Sequence, residues 1–130
     1  MKPGLEPGYR EQLEMEVTVE MCPQFDGETV HQTMSTVSMI YHMEWVARKV
    51  ILPFLEDGEE GIGAELNVRH SAPAPVGKKV TFIAEVTHND GRLVICDVRA
   101  VHDKAVVGAG SFTQAILPRQ KIVDRIEAMS

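Results

Sequence analysis

Between Ser35 and Leu55 the chain reads STVSMIYHMEWVARKVILPFL, and Met39, Ile40, Met43, Val46, Ala47, Val50, Ile51 and Phe54 recur in it at steps of three and four. That is the period of an α-helix. Apolar residues occupy most of its circumference, with Arg48 and Lys49 as the main polar interruption, so the run reads as a helix largely enclosed by other structure. The remaining residues must supply the enclosure. In the middle of the run stands Glu44. An ionised carboxylate on an enclosed helix is costly unless it is paired or hydrogen-bonded, so Glu44 needs a partner.

The segments around the helix are strands. From Leu13 to Met21, apolar Leu13, Met15, Val17, Val19 and Met21 alternate with Glu14, Glu16, Thr18 and Glu20, the period of a half-buried strand. Pro23 ends it, and Gln24 to Met34 is polar and aperiodic, a loop into the helix. Ser35 or Thr36 is placed to cap the helix N-terminus. After the helix, Pro53 bends the last turn, Asp57-Gly58 marks the stop, and Glu59 to Gly63 reads as a short connection. A second alternating run overlaps its end, with Ile62, Ala64, Leu66, Val68 and His70 on one face. Three more strands follow: Lys79–Thr87 and Arg92–His102, joined by the turn sequence His88-Asn89-Asp90-Gly91, and Ala105–Leu117. Ile122, Val123 and Ile126 suggest a short amphipathic tail helix.

Consecutive antiparallel strands need one face covered, and the substantial cover available is the central helix. The expected class is therefore α+β, a curved antiparallel β-sheet wrapped around a central α-helix, the hot-dog architecture. One domain spanning residues 1–130 is expected, since no repeat, linker or low-complexity stretch divides the chain. Free sheet edges in so small a unit favour pairing with a second copy, so a dimer or higher homo-oligomer is expected.

Composition narrows the partners. A net charge of −6 argues against a general nucleic-acid binder. No apolar run approaches a membrane span, and the N-terminus lacks the apolar core of a signal peptide. Cys22 and Cys96 form no CxxC and read as free thiols, so a cytoplasmic protein is expected. His31, His42, His88 and His102 do not form a metal-binding spacing. Gly108-Ala109-Gly110-Ser111 is neither a phosphate loop nor a nucleophile elbow, and its small residues read as close packing within a strand. Arg69, Lys78 and Lys79 read as solvated charges.

His70 is the partner that alternation offers Glu44. It falls on the strand face turned toward the helix, and a carboxylate bonded to one imidazole nitrogen raises the basicity of the other. Such a pair activates a hydroxyl or a water. Taken singly, each residue has a structural reading: His70 as a hydrogen-bonding strand end, Glu44 paired with Arg48 one turn on. Thr36, flanked by Ser35 and Ser38, is the candidate nucleophile, though periodicity alone reads it as a cap. About 12 Å of helical rise separates Thr36 from Glu44. A shared site therefore needs a bridging group, a helix that starts later, or two subunits.

The run from Met43 to Gly77 resembles the fluoroacetyl-CoA thioesterase-like branch of the hot-dog acyl-CoA thioesterases. The features that carry the resemblance are Met43-Glu44-Trp45, Pro53-Phe54-Leu55-Glu56, Gly61-Ile62-Gly63, Val68-Arg69-His70-Ser71-Ala72 and Pro75-Val76-Gly77. It is best over Thr36 to Gly77 and looser to about Leu117. The resemblance implies an acyl-CoA substrate, with coenzyme A as part of that substrate rather than a separate cofactor, and an active-site Thr, Glu and His at Thr36, Glu44 and His70. It also implies an oxyanion-stabilising amide at Gly63. Thr36, or a water it positions, would attack the thioester carbonyl, with His70 as general base oriented by Glu44. The segment Met21–Met34 is shorter than the aromatic lid of the fluoroacetyl-CoA-specific enzyme, and Phe25 is its one aromatic residue. That speaks against fluoroacetyl selectivity but not against thioester hydrolysis, and a small or medium acyl group is expected. Two rivals share the fold. A non-catalytic acyl-CoA-binding or regulatory domain would bind without turnover. A hydratase would carry Asp five residues before His70, where this chain has Glu65.

Overall fold

A computed structural model describes all residues from Met1 to Ser130. Its frame is a five-stranded antiparallel sheet in the order β1-β5-β6-β7-β4. The strands are β1 (Arg10–Glu16), β4 (Glu59–His70), β5 (Lys79–Asn89), β6 (Leu93–His102) and β7 (Ala105–Pro118). A separate hairpin of β2 (Gln24–Phe25) and β3 (Glu28–Thr29) precedes the central helix α1 (Thr36–Ile51), and α2 (Arg119–Ala128) closes the chain. No helix is long and apolar enough to cross a membrane. The architecture is the expected hot-dog fold.

Alternation puts one face of each strand against α1. Val80, Phe82, Ala84 and Val86 of β5 and Val94, Cys96, Val98 and Ala100 of β6 are buried with Met39, Met43, Val46, Ala47, Val50 and Ile51 of α1. Each large apolar side chain removed from water there contributes about 1.5–3 kcal/mol, which makes the helix–sheet interface the main source of stability.

Three expectations are corrected. The first strand ends at Glu16, because β5 begins at Lys79 opposite it and leaves no partner further on. Val19–Met21 then forms a 3-10 turn with Val19 exposed, so the alternation of those residues is incidental. Glu59 to Gly63 is strand rather than connection, because β7 runs on to Pro118 and pairs with it from Glu59↔Pro118 through Gly63↔Gln114. The segment before α1 is not wholly loop. Asp26 (φ 53°) and Gly27 (φ 80°) turn the β2–β3 hairpin in the left-handed geometry that Asp-Gly favours, and Phe25 stands exposed on it.

Register decides the fourth correction. Gly63 pairs with Gln114 but Glu65 pairs with Thr113, so Ala64 is an extra residue, a β-bulge. Partners directly opposite in a ladder share a face, and Gln114, Phe112 and Ile116 are buried on the helix side. Gly61, Gly63, Leu66, Val68 and His70 therefore face α1. Ile62 and Ala64, expected on that face, are turned outward, and Ile62 joins Leu117 against Ile122 and Ile126 of α2. A Cβ at Gly61 would meet the terminal methyl of Ile51, which would have to shift to admit it.

Candidate active site

Whether Ser35 or Thr36 caps α1 is resolved by one hydrogen bond. The Ser38 N–H donates to Ser35 Oγ at 3.0 Å, so Ser35 is the cap and Thr36 the first helical residue. The Thr36 hydroxyl is thereby left for another partner. It lies 2.8 Å from Nδ1 of His70, the last residue of β4. Either atom can carry the shared proton, and with the hydroxyl donating, Nδ1 is poised as its base. The pair also stands at the positive end of a 16-residue helix, where developing negative charge is favoured.

Main-chain bonds hold the two groups in place. Beyond His70, the N–H groups of Ser71 and Ala72 both donate to Val107 O of β7, at 2.7 and 3.2 Å. The loop 71–77 then pairs with the residues before α1: Met34 N–H donates to Ala74 O at 2.8 Å, and Val76 N–H to Gln32 O at 3.1 Å. Ser35 N–H is taken by Met21 O at 2.7 Å. One loop thus ties the end of β4 to the start of α1, the two elements that meet as His70 and Thr36.

Glu44 and Gly63 form a second, separate pair. Glu44 Oε2 would lie 3.2 Å from a Cβ at Gly63, and Phe112 Cζ also 3.2 Å, so a side chain there would press both neighbours back by a few tenths of an ångström. Glu44 is exposed within the chain and makes no hydrogen bond to His70, whose partner here is Thr36. The expectation of an enclosed helix is corrected accordingly. Arg48 is half-buried and ion-paired to Glu60 at 3.0 Å, lowering the Glu60 pKa through that hydrogen bond. The face of α1 turned to solvent instead carries Val37, Tyr41 and Trp45, which are 74%, 62% and 46% exposed, and Leu52 just past its end is 48% exposed.

Periodicity overlooks two further polar groups. Gln114, buried opposite Gly63, donates from Nε2 to Ala47 O of α1 at 3.0 Å and so fixes the spacing of helix and sheet beside the second pair. Its place as the polar residue in the apolar alternation of Phe112 and Ile116 was the available signal. His42, also buried, donates from Nδ1 to Ser38 O at 2.7 Å and stacks on Phe82, a structural role. Cys96 is packed in the core, where burial pushes its thiol up to about 12 and removes it from nucleophilic chemistry.

An antiparallel sheet curled round one helix, with a hydroxyl–imidazole pair where the helix N-terminus meets the end of an edge strand, is a hot-dog fold carrying a candidate nucleophile and base. The family model for fluoroacetyl-CoA-specific thioesterases matches residues 17–120. The chain belongs to that family. The fluoroacetyl-CoA thioesterase of Streptantibioticus cattleyicolor is 31% identical over 90 residues, covering 69% of this chain and 65% of that protein. A thioesterase superfamily member from Thermus thermophilus superposes with a TM-score of 0.93 at 36% identity, covering 98% of this chain and 94% of that one. A solved fluoroacetyl-CoA thioesterase superposes at 0.90 with 24% identity, covering 98% of each chain, and shares the fold.

Proposed function

We propose that this protein hydrolyses the thioester of a small or medium acyl-CoA, releasing the free acid and coenzyme A, at a site completed by two copies of the chain. The observation that carries the reading is the 2.8 Å contact between Thr36 Oγ1 and His70 Nδ1 at the start of α1. It is an activated-nucleophile geometry.

The second copy resolves the separation of the two pairs. β4 is an edge strand, bonded to β7 on one side only. Two copies of β4 paired antiparallel about a two-fold axis at Asn67 set Val68 opposite Leu66 and Arg69 opposite Glu65. Because Ala64 is bulged out, the next pair is His70 opposite Gly63, both on the helix side. Neither Arg69 nor Glu65 has an ion-pair partner within its own chain, and in this register each receives one on the outer face. Glu44 and Gly63 of the second copy then lie beside Thr36 and His70 of the first. A regular strand would put residues 63 and 70 on opposite faces.

In this site Thr36 Oγ1 attacks the thioester carbonyl while its proton passes to His70 Nδ1. Glu44 of the second copy stabilises the imidazolium, and a main-chain N–H beside the bulge at Gly63, where the ladder is interrupted, takes the oxyanion. Collapse breaks the carbon–sulfur bond, and the imidazolium returns its proton to the coenzyme A thiolate. Water, deprotonated by His70, then releases the acyl group from Thr36. Thr36 positioning that water for direct attack is the shorter variant of the same chemistry.

The test is hydrolysis of acyl-CoAs from acetyl to octanoyl by the wild type and by Thr36→Ala, Glu44→Ala and His70→Ala. His70→Ala and Glu44→Ala are each expected to lower kcat/KM by about 10²–10⁴-fold. Turnover indifferent to both substitutions would overturn the site. Tight binding of every acyl-CoA with no turnover would make the protein a ligand-binding domain instead.

A further inference from the structure

We infer that His102, remote in sequence from Thr36 and His70, is a positioning residue for that pair. It acts as a neutral imidazole that clamps the loop following His70. Its ring is buried, with 5% of the side chain exposed. Both nitrogens are committed. Nδ1 lies 3.1 Å from the main-chain N–H of Lys104 and can only accept from it. Nε2 lies 3.0 Å from the carbonyl oxygen of Pro73 and can only donate to it. The two contacts together require the tautomer with its proton on Nε2.

Pro73 follows His70 by three residues and precedes Ala74, whose carbonyl receives the Met34 N–H. The clamp therefore grips the loop 71–77 between its anchorage at His70 and its anchorage two residues before Thr36. A second tie, Lys78 Nζ to Asp103 Oδ1 at 2.6 Å, binds the far end of the same loop to the same β6–β7 turn. Proline cannot donate a main-chain hydrogen bond, so its carbonyl is the one main-chain group through which Pro73 can be held, and the imidazole takes it. The charged groups around the ring are Asp103, 3.7 Å from Nδ1, with Lys78 paired to that carboxylate and Lys104 in the same turn. Protonation of Nδ1 would set one N–H against the Lys104 N–H and break the turn contact, so the neutral ring is the working form.

Two conservative substitutions separate the clamp from a local role in the turn. In His102→Gln the side-chain amide N–H reaches the position of Nε2 and keeps the bond to Pro73. In His102→Asn the short carbonyl reaches the position of Nδ1, keeps the bond to Lys104 and loses Pro73. The effect on turnover rests on the thioesterase reading, but the effect on geometry does not, and both are measured. His102→Asn is expected to lose about 10–100-fold in kcat, as ångström-scale misplacement of reacting groups does, with KM little changed. His102→Gln is expected to retain kcat close to wild type. Nitrogen-15 NMR of the wild type should show His102 protonated on Nε2, and the His70 Nδ1 resonance should move in the Asn variant but not in the Gln variant. A wild-type ring protonated on Nδ1, or a His70 resonance indifferent to His102→Asn, would overturn the clamp whatever the substrate. A protein inactive on every thioester but with the expected resonances would overturn the proposed function and leave the clamp standing.

Discussion

Reversing one charge on the free edge of β4 tests the two-copy site at its least forgiving point. In the register with its axis at Asn67, Arg69 of each copy faces Glu65 of the other, and the two-fold repeats the pair. A directly opposed pair of unlike charges contributes about 0.2–1 kcal/mol across antiparallel strands, and like charges cost a similar amount. Arg69→Glu replaces two attractions by two repulsions and should weaken the dimer by about 0.8–4 kcal/mol, or about fourfold to nearly a thousandfold in Kd. Residues 65 and 69 are exposed, so the lower end, about 5–30-fold at low salt, is expected, shrinking as salt is raised. Glu65→Arg should do the same, and the double exchange Glu65→Arg with Arg69→Glu should restore wild-type affinity. Sedimentation equilibrium over a dilution series reads Kd, and thioester turnover on the same samples should follow the dimer fraction. The double exchange is the decisive arm. If both single variants and the double variant dimerise like the wild type, β4 does not meet its copy in this register, and Glu44 of a second copy is not placed beside His70.

Two predictions concern stability. The Asp90 carboxylate accepts the N–H groups of Leu93 and Arg92 at the β5–β6 turn, and those bonds, ahead of His88, hold its pKa down to about 2. A folded-state pKa below the unfolded value of about 3.9 stabilises the fold above that value, and the contribution is lost as pH falls through about 2. The difference in Tm between wild type and Asp90→Asn should therefore shrink over this acidic window, and a difference independent of pH there would contradict the assignment. Gly110→Ala should cost about 1–3 kcal/mol, because the added Cβ would overlap the main chain of Asn67 and Val68. Gly77→Ala, with no neighbour within 4 Å but a φ of 92°, should be felt only through backbone strain, and urea denaturation compares the two.

How much of this was legible in the chain depends on whether a pattern is local. The helix was, because its apolar residues at three- and four-residue steps are the ones buried against the sheet from Met39 to Ile51. The strands were legible in type, but their ends were set by partners: β1 stops where β5 begins, and β4 starts early because β7 is long. Thr36 read as a cap because residues at a helix start share one composition. Only in the fold does Ser35 prove to do the capping while Thr36 reaches His70. The exposed face of α1 was misread because hydrophobicity alone does not say which apolar residues are covered; Val37, Tyr41 and Trp45 are not. The inward polar place of Gln114 is legible from the apolar alternation around it, but its bond to Ala47 O is not, and neither is that of His102 to Pro73 O, since each contact joins residues far apart in sequence.

The bulge at Ala64 is the point where a period-two reading fails and where the site becomes possible. Alternation through Ile62, Ala64, Leu66, Val68 and His70 is unbroken in the sequence, and nothing in residue type marks the extra residue. The register shift turns Ile62 outward to meet α2 and turns Gly63 inward to meet Glu44. It gives residues seven apart on one strand a common face, which no regular strand does. A two-fold pairing of that strand can then set the glycine end of one copy against the histidine end of the other. In the proposed dimer, the separation of Thr36 from Glu44 along one rigid helix, an obstacle within a single chain, is the spacing that two antiparallel copies need to build two equivalent sites.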